Sequence, residues 1–119
     1  MLVRNLDDDE PFVTATGSTI RELLNVVHPP TRNQSLAELS LAAGRSTRRH
    51  YHLDSEQVYF VLGGAGTMEI DGEQRPVEPG DAILIPPGAR HAITAHSGND
   101  LRLLSCCAPP FSHEDAYFD

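Results

Sequence analysis

Lysine and tryptophan are absent from this chain of 119 residues, and tyrosine and phenylalanine together supply only 6% of it. Without lysine there is no side chain for Schiff-base chemistry and none for a Walker phosphate loop, so two reaction classes are excluded at once. No apolar run approaches the roughly 18 residues that a membrane-spanning helix needs, and Met1-Leu2-Val3-Arg4-Asn5 is not the apolar stretch of a signal peptide. A soluble cytoplasmic protein with no membrane partner is expected. The only cysteines, Cys106 and Cys107, are neighbours. Adjacent strand side chains point to opposite faces, so a disulfide between them would be strained, and two buried thiols in a reducing compartment are expected.

Basic charge is also scarce: 9 arginines face 17 acids, for a formal net charge of −8. Such a surface repels polyphosphate, which argues against a nucleic-acid partner. The excess acid is concentrated in Asp7-Asp8-Asp9-Glu10 and in Glu114, Asp115 and Asp119, so it reads as solvated ends, not as a site. Hydrophobic residues make up 39%, enough for one core. The expected organisation is an acidic arm over 1–18, a barrel over 19–110 and an acidic tail over 111–119.

Within the arm, Phe12 and Val13 suit an edge strand. Ile20, Leu23, Leu24 and Val27 have the spacing of a short helix stopped by Pro29-Pro30, with a strand as the alternative. Leu39 and Leu41 alternate with polar residues as a half-buried strand does. Beyond Gly44 the turn signals become regular: Gly63-Gly64, Asp71-Gly72, Pro79-Gly80, Pro86-Pro87-Gly88 and Ser97-Gly98-Asn99-Asp100 separate short apolar runs. That rhythm predicts an all-β sandwich or barrel, with Asp71-Gly72 as a two-residue hairpin turn. Val58–Leu62 and Ala82–Ile85 are apolar on both faces, which requires a cover on each side, one of them a second sheet or a partner subunit.

Histidine carries the chemistry. His50 and His52 are two apart in a predicted strand, so their rings share a face, and Glu56 follows four residues later. His91 arrives from a separate strand. Three neutral imidazoles and one carboxylate suit a divalent ion such as Zn, Ni, Fe or Mn. His28, His96 and His113 sit beside prolines, a turn and acids, and are expected on the surface.

Two spaced motifs resemble the signatures of the cupin superfamily: Gly44-x5-His50-x-His52-x3-Glu56-x6-Gly63, and Gly80-x5-Pro86-x-Gly88-x2-His91. The second usually ends in Asn, with three residues between it and the motif's His, and this chain has Ala95 there. The resemblance implies an antiparallel jelly-roll barrel, the double-stranded β-helix, with one divalent metal ion held by His50, His52, Glu56 and His91. Strand parity from Glu56 sends Phe60 to the pocket face and parity from His91 sends Ile93 there, while Arg48 and Arg90 are candidate clamps for a carboxylate or phosphate.

The leading functional expectation is a metal-dependent enzyme on a small polar substrate such as a sugar or carboxylate. Small cupins similar to this chain include isomerases and epimerases of the mannose-6-phosphate isomerase type, lyases and decarboxylases. A non-haem iron dioxygenase is an alternative with the same ligands. A sensory or metabolite-binding module without turnover is a second alternative, weakened because 119 residues leave no room for a fused DNA-binding domain. The two-sided apolar strands, the length of the arm and family habit all point to a homodimer.

Overall fold

The computed structural model describes residues 1–26 and 31–119. Short β-branched and aliphatic runs broken by Gly and Pro yield eleven strands among them: β1 (Phe12–Val13), β2 (Thr19–Leu24), β3 (Ser35–Leu41), β4 (Tyr51–His52), β5 (Glu56–Gly63), β6 (Gly66–Ile70), β7 (Glu73–Val77), β8 (Ala82–Ile85), β9 (His91–Ala95), β10 (Leu101–Ala108) and β11 (Ala116–Tyr117). All pairings are antiparallel, as expected for a jelly roll. One sheet runs β1-β2-β3-β10-β5-β8, a second β7-β6-β9, and β11 pairs with β4. The segment before β4 is tied to β9 by bridges Ser46–Thr94 and His50–His91, so it extends the smaller sheet up to the metal-type residues.

Period-two burial builds the core between the sheets. On β10, Leu101, Leu103, Ser105 and Cys107 are buried, while Arg102 and Cys106 are exposed. Tyr59 and Val61 of β5 and Ile85 of β8, in the same sheet, and Ile93 of β9, in the facing one, each keep about 1% of their surface and complete the core. Each such aliphatic side chain contributes roughly 1.5–3 kcal/mol by leaving water. The β6–β7 hairpin turns through Asp71 (φ 49°) and Gly72 (φ 91°), the left-handed pair that a two-residue turn requires.

Two expectations change. Residues 20–24 belong to a strand, not a helix, because β2 hydrogen-bonds along β3 with Ile20 opposite Leu39; tertiary pairing overrides the helical spacing. Val27, His28 and the Pro29-Pro30 stop lie outside the described residues. The helical turns that are present are short 3₁₀ turns at Leu6–Asp8 and His113–Asp115, capped by Asn5 and Ser112. Cys106 is exposed, so only Cys107 is a buried thiol.

The arm does not reach away from its own chain. Arg4 donates to the Leu23 carbonyl at 3.2 Å and Arg21 to the Leu6 carbonyl at 3.2 Å, fastening it to β2. The outer face of β5 and β8 is left uncovered, with Phe60 40% and Leu84 56% exposed. Among the described residues no helix is long and apolar enough to cross a membrane.

Candidate metal centre

His50 and His52, on the segment that enters β4, converge with His91 at the start of β9. The reciprocal hydrogen bonds His50 N to His91 O (3.1 Å) and His91 N to His50 O (2.9 Å) set those two residues side by side, and alternation carries His52 to the same face. Ring centroids stand 4.3 Å apart for His50 and His91, 5.1 Å for His50 and His52, and 5.7 Å for His52 and His91. One ring nitrogen from each lies within 4.8 Å of the others.

Each imidazole is locked in orientation by a backbone carbonyl. His50 Nδ1 donates to Arg48 O at 2.7 Å, His91 Nδ1 to Ala89 O at 2.9 Å, and His52 Nδ1 to Asp115 O at 3.1 Å. A carbonyl can only accept, so the ring proton sits on Nδ1 and the Nε2 lone pair faces inward. Nε2 of His52 and of His91 is buried and bonds to nothing in the protein. Burial pushes His50 and His91 down to about 4, with a smaller push from His52 on His50 and from His50 and His52 on His91; burial lowers His52 as well. Three neutral, pre-oriented nitrogens without protein partners are the donor set of a divalent transition-metal ion.

The expected fourth ligand is elsewhere. Glu56 is exposed, whereas Gln57 is 95% buried, because β5 directs Gln57, Tyr59 and Val61 inward and Glu56, Val58 and Phe60 outward. The bend at Leu53–Asp54 separates β4 from β5, so parity counted from His52 does not carry across it. The same one-residue offset applies to the glycine that closes the first motif. A Cβ on Gly63 meets nothing within 4 Å, while one on Gly64, at φ +77°, would collide with the Asp100 carbonyl. The structure thus reads the first motif as ending in Gln57 and Gly64.

The substrate-contact expectations are corrected likewise. Phe60 lies on the outer sheet face. Ile93 is buried in the core and does not line the cavity beside the histidines. Arg48 lies over the Phe118 ring at 3.8 Å, and Arg90 lies over Tyr51 at 3.7 Å while bonding Asp119 at 2.9 Å, so both guanidiniums are committed outside the cavity. His96 is exposed as expected and pairs with Thr67 at 3.0 Å.

That cavity, about 110 Å³, opens beside His50 and His52 and is walled by Gln57, Tyr59, Ile20, Leu39, Phe111 and Phe118. Glu22 is the one carboxylate lining it, with its Oε1 2.6 Å from Asn25 Nδ2. Burial raises the Tyr59 phenol, and raises the Cys107 thiol to about 11, so both are protonated at neutral pH.

Residues 111–119 form part of the site instead of a solvated tail. Phe111, His113, Ala116 and Phe118 line the cavity, and His113, though exposed, packs its ring 5.0 Å from that of Phe111. The Asp115 carboxylate accepts from the amides of Leu53, Asp54 and Ser55 at 3.0–3.2 Å, pinning the loop after His52. Alternation around Tyr59 and Val61 was the available signal for Gln57; nothing local in the sequence marked Glu22 or Asp115.

Comparison with known proteins agrees with this geometry. The cupin domain family matches residues 37–107. An uncharacterized protein of Methanocaldococcus jannaschii is 42% identical over 109 residues, 92% of this chain and 87% of that one. Among solved structures, the polyketide cyclase RemF from Streptomyces resistomycificus superposes with a TM-score of 0.79 at 26% identity, covering 97% of this chain and 89% of its own. The nucleoside dehydratase Pac13 of Streptomyces does so with a TM-score of 0.80 at 19% identity, covering 98% and 89%. A single matched domain that spans more than half the chain, on an antiparallel jelly roll with three histidines facing one point, makes this protein a member of the cupin family.

Proposed function

We propose that this cupin is a divalent-metal enzyme of the isomerase, epimerase, lyase or decarboxylase kind, acting on a small polar molecule. The observation that carries the reading is the locking of all three imidazoles through Nδ1, which leaves three inward Nε2 atoms with no other use in the fold. A bound ion would act as a Lewis acid on a carbonyl or hydroxyl oxygen. The chain's own contribution is a cavity with aliphatic walls and two aromatic rings, Phe111 and Phe118, that hold a small ligand beside the histidines and limit water. Glu22, the one carboxylate lining the cavity, is the group we assign to take or return a proton, with His113 the other basic side chain of the lining; Tyr59 and Cys107 stay protonated. The names of RemF and Pac13 describe a cyclisation and a dehydration, and they support a reaction without net oxidation.

Elemental analysis of protein purified without an affinity tag tests the metal reading. One equivalent per chain is expected, with His50→Ala and His91→Ala losing it; full retention in both variants overturns the ligand set. Turnover that consumes O2 with Fe(II) bound favours the dioxygenase reading, and a co-purifying metabolite that is never converted favours the sensory one.

The outer face of β5 and β8 supports pairing with a second copy of this chain. Phe60 and Leu84 expose apolar surface there that a single chain leaves in water. Light scattering should give a dimer mass at micromolar protein, and Phe60→Glu should shift it to monomer.

A further inference from the structure

Four buried side-chain polar atoms among the described residues bond to nothing in the protein: Thr31 Oγ1, His52 Nε2, His91 Nε2 and Gln57 Oε1. A buried carbonyl without a partner is destabilising, so Gln57 is a costly choice for an inward position unless something meets its oxygen. Its amide is also held from behind. Gln57 Nε2 donates to Ser105 Oγ at 2.9 Å, so the nitrogen is spent on the sheet and the oxygen is the end left free. Gln57 lines the same cavity as His50 and His52, and Tyr59, two residues along the same strand face, has its ring 6.4 Å from that of His91. The orphaned oxygen therefore shares one cavity with His52, and His91 stands one ring contact away beyond Tyr59.

We propose that Gln57 Oε1 is the fourth protein donor of the centre, so that four neutral groups hold the ion and its full double charge is presented to an anionic oxygen of the ligand. This rests on the reading that the three histidines bind a divalent cation. A carboxamide oxygen is an ordinary hard donor for such ions, but unlike a carboxylate it brings no charge. No arginine lines the cavity and lysine is absent from the chain, so besides the ion only His113 could bring positive charge there, against the one carboxylate of Glu22. The ligand class that completes the charge balance is a small molecule that coordinates through a carboxylate or enolate oxygen, with its uncharged remainder against the apolar walls.

Cobalt supplies the test, because its visible absorption reports coordination without any turnover. The unsubstituted protein, Gln57→Glu and Gln57→Leu are loaded with Co(II), metal affinity is measured by chelator competition, and azide is titrated as the anionic probe. Gln57→Glu is near-isosteric and adds one negative charge at the ion: Co(II) should bind about tenfold tighter or more, and azide about tenfold weaker or more. Gln57→Leu should lose about tenfold in Co(II) affinity and change the absorption bands while azide still binds. If neither variant alters the bands, and Co(II) and azide affinities stay within about twofold in both, the proposal is overturned while the histidine site stands. Failure of the unsubstituted protein to take up Co(II) overturns the metal reading itself, and this inference with it.

Discussion

His52 and Asp115, 63 positions apart, are joined twice over: the imidazole Nδ1 donates to the Asp115 carbonyl, and the Asp115 carboxylate caps the amides of the three residues that follow His52. Replacing Asp115 by Ala leaves three amides of the Leu53–Ser55 turn without their acceptor. A loss of about 1–3 kcal/mol in urea unfolding is expected. Because the turn orients a ligand, metal affinity should also fall about 10- to 100-fold by chelator competition. Unchanged affinity would show that the C-terminal segment does not position His52.

Acid should weaken the metal-free protein in a defined window. His50 and His91 titrate near 4 in the folded chain, chiefly through burial, against about 6.5 when unfolded. Between those values the unfolded state binds more protons, so stability is complete above about pH 6.5 and falls as the pH drops toward 4. Urea midpoints measured from pH 7.5 to 4.5 should decline below 6.5; a flat profile contradicts the buried, neutral state of these rings.

Adding a divalent ion should stabilise the fold by mass action. At a free concentration one hundred times Kd the gain is about 2.7 kcal/mol, read as a higher midpoint in urea. The His91→Ala variant should show little of this response. An equal response in both proteins would place the ion somewhere other than the three histidines.

Adjacent glycines should behave differently. Gly64→Ala forces a Cβ onto the Asp100 carbonyl at a positive φ, and a loss of about 2 kcal/mol or more is expected. Gly63→Ala meets open space and should change stability by about 0.5 kcal/mol or less. Comparable losses at both positions would refute the one-residue offset that also brings Gln57 inward.

Much of the centre is legible in the chain alone. His50 and His52 are two apart, so any extended backbone puts their rings on one face, and the turn residues that punctuate residues 44–100 leave room only for short antiparallel strands. Lysine chemistry was excluded by composition. What only the tertiary structure decided is which face β5 turns inward, and so that Gln57 and not Glu56 enters the site, and Phe60 faces out. Strand alternation is a local rule, and the bend at Leu53–Asp54 resets it. Glu22 and residues 111–118 reach the cavity for a similar reason: β2 arrives through its pairing with β3, and β11 through its pairing with β4, contacts between distant parts of the chain that no local pattern of residues encodes.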